Sequence, residues 1–262
     1  MFENSDINFQ TRSVATALLK SRQKIGVEEM KSFAEKIYND FIVDDRYMYL
    51  VKGFGNTLLI TLFAVLLGIM LGFLVAIIRS SYDRMDRPGI VMKILNFICN
   101  VYLTIIRGTP TMVQILIMYF IVFSSAGIPK LLVAVLTFGI NSGAYVAEIV
   151  RSGIMSINQG QTEAGRSLGL NAVQTMRFII MPQAFKNVLP ALANEFIVLL
   201  KETSICGYIG MEDLTKGGDI IRSITYDPYL PLLTVAVIYL ILVCGLSALV
   251  KKLERRLRTS ER

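Results

Sequence analysis

The sequence predicts an all-α integral membrane protein of about five transmembrane helices, with the N-terminus outside and the C-terminus cytoplasmic. Three observations predict it. Of 262 residues, 53% are hydrophobic and only 18% charged, against about 45–50% and 25% in soluble domains, and the mean hydropathy is +0.55. Uncharged runs recur that approach the roughly 20 residues a helix needs to cross the hydrocarbon core. Lys and Arg gather in alternate connectors, as they do on the cytoplasmic side of a membrane.

Residues 1–50 read as an external extension without the apolar core of a signal peptide. Phe33, Ile37, Phe41 and Ile42 fall at roughly helical spacing, so 28–49 lies along the membrane surface as a partly amphipathic helix or packs as a solvated tail on the outer face. The membrane domain runs over 54–250. Its first span is Phe54–Ile78, uncharged and bracketed by Lys52 and Arg79. The next lies between Arg107 and Lys130, centred on Val113–Phe123, and the short run Ile94–Ile106 reads as a helix leading into it. Leu131–Ala147 is the third, ending at Glu148. The fourth, Val188–Met211, requires Glu195, Lys201 and Glu202 to sit inside the membrane, where ionisable groups face protein or a water-filled cavity. Reading it as a soluble loop leaves Phe196–Leu200 exposed, which costs more. Pro228–Val250 is the fifth, followed by a basic cytoplasmic tail over 251–262.

Orientation follows from the connectors. Residues 79–93 carry Arg79, Arg84, Arg87 and Lys93, the 148–187 connector carries Arg151, Arg166, Arg177 and Lys186, and the tail carries six more basic residues from Lys251 to Arg262. The connectors on the other side are poor in Lys and Arg. Topology thus accounts for the formal charge of +7 and leaves no case for a nucleic-acid partner. With no His, no CxxC pair, and Cys99, Cys206 and Cys244 scattered, zinc, haem, Ser–His chemistry and a disulfide framework are all disfavoured. No metal site is expected.

The 148–187 connector holds most of the functional information. Thr162 or Ser156 is placed to cap a short helix whose first turn holds Glu163, where the helix dipole favours negative charge. Ala164 and Gly165 give that helix a small face open to close approach. Gly169 supplies a break where φ is free to be positive. Leu168, Leu170, Met176 and Phe178 are apolar knobs without an obvious home. A charged, small-faced helix with such knobs suits docking into a cleft on a partner.

Glu163-Ala164-Gly165, Gly169, Ile179 and Met181-Pro182 stand at the spacing of the EAA loop, so the chain resembles the type I permeases of binding-protein-dependent ABC transporters. It departs mildly from the consensus, with Gly165 for Ala and Met181 for Leu. Arg107-Gly108-Thr109-Pro110 with Gln114, and Asn194 with Lys201-Glu202-Thr203-Ser204, are similar to permeases for polar amino acids such as histidine, glutamate, glutamine, arginine and opines. The resemblance covers about 47–250. It implies a second permease subunit, identical or paralogous, a dimer of ATP-binding cassette subunits, an extracytoplasmic amino-acid-binding protein, and residence in the bacterial cytoplasmic membrane. It implies that Glu163, Ala164, Gly165, Gly169, Leu170 and Pro182 form a coupling element seated in the ATPase.

ATP and Mg are then used by the partner. The chain itself is expected to bind no cofactor and to be no enzyme, since a P-loop needs a Gly-Lys step to cradle phosphate and no Gly-Lys pair occurs. A zwitterionic solute leaving water needs donors and acceptors inside. Arg107, Thr109, Gln114, Asn141, Asn194, Glu195, Lys201 and Glu202 are the candidates. The other reading of these groups is that they pair with one another and hold the bundle, Lys201 with Glu202 above all. Gly68 with Gly72, and Gly139 with Gly143, are spaced for helix packing within the chain. The alternative function is an ion-coupled secondary amino-acid carrier, against which stand the few intramembrane carboxylates and the lack of a visible inverted repeat.

Overall fold

A computed structural model describes residues 32–83, 85, 87–125 and 127–259, and every regular element within them is a helix. The first 31 residues of the extension, Arg84 and the tail end at Arg262 lie outside the described residues. A surface helix over 32–37 runs through a π-turn, Tyr38–Ile42, and a tight turn at Val43–Asp45. There Asp44 and Asp45 adopt φ of 54° and 51°. Asp and Asn visit this left-handed region more readily than most residues.

α1 (Tyr47–Asp83) contains the whole first uncharged run, and α4 (Lys130–Met155) contains the third. These two helices form the central pair. Small residues let them approach. A Cβ on Gly68 would stand 2.9 Å from Ser142 Cβ, and one on Gly139 would stand 2.5 Å from Leu67 Cδ2. Gly72 and Gly143 lie on the same seam, so both expected small-residue pairs pack within the chain. α8 (Leu230–Thr259) takes up all but the first two residues of the last apolar run and stands at the edge, little of it buried by the rest of the chain.

The second crossing differs from the sequence reading. The run 94–106 is part of a separate 19-residue helix, α2 (Ile90–Gly108), which is by itself long and apolar enough to cross. The run expected between Arg107 and Lys130 yields only α3 (Thr111–Val122), seven α-helical and five π-helical residues. Lys93, Asn96 and Asn100 interrupt the apolar pattern of α2, yet a helix tolerates polar residues on one face without breaking. The break falls instead at Thr109–Pro110, both extended; the residue before a proline is pushed out of the α region.

The fourth span starts earlier than its apolar run suggests. Asn171 opens a capped turn, Ala172–Thr175, that passes through a π-turn, Met176–Ile180, into α6 (Met181–Glu202). At 1.5 Å per residue α6 is about 33 Å long, enough to cross, although its charges set it apart from the four most apolar helices. It ends in a 3-10 segment, Thr203–Ile209, closed by Gly210 at φ 67°. α7 (Leu214–Thr225) follows, its N-terminus capped by Asp213, which accepts from the Thr215 and Lys216 amides.

The buried core follows the seam between α1 and α4. At one end Ile60, Ala64, Phe138 and Leu199 pack with Ile115 and Cys206. At the other, Ala76, Val146, Val150 and Ile154 pack with Ile180, Ala184 and Val188. α6 is therefore wedged against α4 largely by apolar residues.

Candidate functional site

Two regions carry the expected functional residues. The first is the end of the bundle beyond Met155. α5 (Gln159–Ser167) is capped by Asn158, whose side chain accepts from the Gly160 amide at 2.8 Å. This corrects the expected cap. Thr162 lies inside the helix, Ser156 instead donates to Gly153 O at 2.8 Å, and Glu163 sits mid-helix rather than in its first turn. Asn158 is the better cap because it stands just before the first helical residue with extended ψ, where its oxygen reaches the free amides.

The helix closes on Gly169 at φ 82°. The Gly169 amide donates to Arg166 O at 3.0 Å and the Leu170 amide to Gly165 O at 3.1 Å, a Schellman closure that satisfies two of the last free carbonyls. Asn171 and Gln174 then cap the next turn reciprocally, each bond 2.9 Å. Chain reversal after α5 is thus fixed by two consecutive capping motifs and is not a loose loop.

The expected small face divides. Gly165 is buried, and a Cβ there would meet Thr175 Cγ2 and Ile179 Cδ1 at 2.8 Å, so its smallness serves packing within the chain. Glu163 and Ala164 are exposed. Of the knobs, Met176 packs beside the core and Leu170 is half-buried, but Leu168 is 79% and Phe178 62% exposed. Pro182 is the second residue of α6, directly after the π-turn Met176–Ile180. Glu163, Ala164, Leu168 and Phe178 are thus exposed, part polar and part apolar, around a reversal that Gly165 packs against Thr175 and Ile179.

The second region is the polar interior. Gln114, Thr109 and Asn141 form one network across the break between α2 and α3. Gln114 Nε2 donates to Ile106 O and to Thr109 Oγ1, both at 2.8 Å, and Thr109 Oγ1 donates to Ile105 O. Asn141 Nδ2 donates to Gln114 Oε1 at 2.8 Å. These three pair with one another, and Gln114 and Thr109 donate to backbone carbonyls at the break before Pro110.

Arg107 and Glu195 do come together, on a cleft of about 560 Å³ between α2, α4 and α6 that Tyr145, Glu148 and Asn187 also line. Glu195 accepts from Ser142 Oγ at 3.0 Å. Arg107 stands 3.6 Å from Glu148, which also meets Arg79 at 3.5 Å and Arg151 at 3.9 Å; Arg151 in turn pairs with Asp83 at 3.0 Å. The cleft therefore offers two carboxylates, Glu195 and Glu148, and the Arg107 guanidinium, which lies over the Tyr145 ring. Glu148, which lines the cleft, and Arg79 and Arg151, which pair with it, are not among the site residues the sequence reading singled out. Their signal was that Glu148 ends an apolar run with Arg151 one turn beyond, an i,i+3 pair.

Asn194 does not join this cleft. It opens on another, between α6 and α8. Lys201 is exposed and Glu202 half-buried at the end of α6; they line neither cleft and do not pair with each other, contrary to the expected bridge, since adjacent helical positions diverge by about 100°.

Residues 68–259 match the family described as binding-protein-dependent transport system inner membrane component. The chain is 36% identical over 80% of its length to the glutamine transport system permease protein GlnP of Escherichia coli K12, covering 93% of that protein. It is 34% identical over 81% of its length to the arginine transport system permease protein ArtQ of Bacillus subtilis 168, covering 94% of it. Among solved structures it resembles one described as an amino acid ABC transporter with histidines, at 40% identity and a TM-score of 0.73, over 82% of this chain and 98% of that one. The chain belongs to the family of binding-protein-dependent ABC importer permeases: it is the multi-pass membrane subunit, not an ion-coupled carrier, and the hydrolysis of ATP falls to a separate subunit.

Proposed function

We propose that this permease carries polar amino acids into a bacterial cell across the cytoplasmic membrane, and that α5 is the element through which a dimer of ATP-binding cassette subunits drives it. The observation that carries the reading lies beyond Met155: Glu163 is exposed on α5, Leu168 at its C-cap and Phe178 in the following π-turn, with the reversal between them fixed by capping on both sides. An exposed apolar knob at the end of a rigid element gains most from burial in a partner's groove. Glu163 adds a charge-assisted anchor. Gly165 and Gly169 shape the element, Leu170 and Pro182 join it to α6, and movement of the groove is passed into the bundle along α6.

The orientation that fits puts α5 and the basic tail in the cytoplasm and the extension with α7 outside, where an amino-acid-binding protein docks. A second permease subunit completes the path. The solute class follows from the glutamine and arginine permeases among the relatives, and the Arg107–Glu195 cleft has groups of both signs to meet a zwitterion. Arg107 and Glu195 are the favoured contacts. Thr109, Gln114 and Asn141 act as scaffold, and Asn194, Lys201 and Glu202 lie away from the cleft. ATP and Mg are bound by the partner.

The test is transport in vesicles reconstituted with the ATPase subunits and binding protein. Glu163→Lys reverses the anchor and Gly169→Asp puts a side chain at φ 82°. Both are expected to abolish uptake while the permease remains inserted. Wild-type uptake by both variants would overturn the coupling assignment.

A further inference from the structure

We propose that the cleft between α6 and α8 is a binding site for the headgroup of an anionic phospholipid. The cleft is about 570 Å³. Lys186 and Asn187 of α6 face Ser247 and Lys251 of α8 across it, and Ile197 and Val250 form part of its apolar floor.

Its level in the membrane is the first argument. The uncharged run of α8 ends at Val250 and the charged tail begins at Lys251, so the cleft straddles the boundary between hydrocarbon and headgroups. A free anion has no use for the apolar floor, whereas a lipid matches both halves: phosphate against the lysines, the first part of its chains against Ile197 and Val250. Basic pockets between helices at this depth are what anionic headgroups occupy.

Charge is the second argument. Glu254 also lines the cleft, so two lysines less one carboxylate leave a single positive charge. That suits a phosphodiester such as phosphatidylglycerol and disfavours a phosphate dianion. The third argument is mechanical. α8 has little of its apolar surface covered by the rest of the chain, and a lipid seated here bridges it to α6, the helix that continues from the α5 reversal.

The experiment takes the complete transporter, permease with its ATPase subunits, from vesicles of phosphatidylcholine with one quarter phosphatidylglycerol, and measures retained lipid by mass spectrometry after detergent washing. One net charge near the surface predicts about fivefold enrichment of phosphatidylglycerol over the bulk ratio. The pair Lys186→Gln with Lys251→Gln is expected to lose that enrichment. Ser247→Leu, which fills the cleft and leaves every charge in place, is expected to lose it too, and Lys252→Gln, next to Lys251 but not part of the lining, to keep it. Enrichment that survives in Ser247→Leu but not in the lysine pair would assign the effect to diffuse surface charge and overturn the proposal, as would no enrichment in the wild type. Displacement of phosphatidylglycerol by millimolar inorganic phosphate would also overturn it, in favour of a free anion. Retained lipid is read without transport, so it fails or holds separately from the coupling assignment.

Discussion

Asn141, in the middle of α4, donates to Gln114 at 2.8 Å, and the same Gln114 amide spans the break between α2 and α3. Asn141 is 1% and Gln114 9% exposed, so neither has water as a substitute partner. Asn141→Leu leaves the Gln114 carbonyl buried and unpaired, which costs about 1–3 kcal/mol. Gln114→Leu strips donors from Ile106 O and Thr109 as well and is expected to cost more. Because the two share one bond, the double variant should fall short of the sum. Thermal unfolding of the four proteins in nanodiscs checks this; additive losses would separate the two amides.

This network also marks where the sequence stops being legible. The uncharged runs of α1, α4 and α8 are strong enough to be read without a structure, and the EAA spacing locates the α5 reversal. The break at Pro110 is legible too, since a proline removes a backbone donor and restricts the residue before it. Which polar group meets which is not, because that depends on helix rotation. Asn194 and Glu195 are adjacent, yet one opens towards α8 and the other towards α2 and α4. Adjacent residues point about 100° apart, and nothing in an unaligned sequence says where zero lies. α2 was misjudged for a related reason: its polar residues punctuate the run without interrupting the helix.

Gly72 tests the α1–α4 seam. A Cβ there would lie 2.5 Å from Val146 Cγ1 and 2.6 Å from Val146 Cβ, and a branched side chain fixed at Cβ cannot swing clear without moving α4. Gly72→Ala is expected to destabilise by about 1–3 kcal/mol through overpacking. Gly55, on the same helix, has nothing within 4 Å of its Cβ position. Gly55→Ala should instead gain roughly 0.5–1 kcal/mol, because Ala loses less backbone entropy in a helix. Opposite signs of the shift in unfolding temperature are the readout, and equal shifts would refute the close approach.

Asp213 makes the stability depend on pH. Burial pushes its carboxyl up to about 6 despite the amides of Thr215 and Lys216 that favour the ionised form. A carboxyl raised on folding binds its proton more tightly in the native state, so stability is greatest below the ordinary carboxylate range. It is lost as pH rises from about 4 to about 6. Asp213→Asn keeps the capping oxygen and removes the charge. It should flatten the pH dependence over that window and leave the protein at pH 7 at least as stable as the wild type. Asp219 works in the opposite sense, held low by the Lys216 and Arg222 hydrogen bonds, and its contribution fades as pH falls through the acid range. Unfolding temperatures of wild type and Asp213→Asn between pH 4 and 7 separate the two, and parallel curves would mean that Asp213 does not titrate there.

Leu168 and Phe178 distinguish docking from folding. Both are more than half exposed in the isolated chain, so truncating them removes little native packing, and surface changes of this kind stay within about 0.5 kcal/mol of stability. If they are buried in the ATPase, each contributes roughly 1.5–3 kcal/mol of apolar burial to the complex, equivalent to about tenfold or more in affinity. Leu168→Ala and Phe178→Ala should therefore weaken association with the ATPase subunits by that factor while the unfolding temperature of the permease alone is unchanged. Met176, packed beside the core, supplies the converse: Met176→Ala should lower the unfolding temperature. Co-purification at graded ATPase concentrations measures the first effect, and wild-type retention by both exposed-knob variants would mean that neither knob is part of the contact.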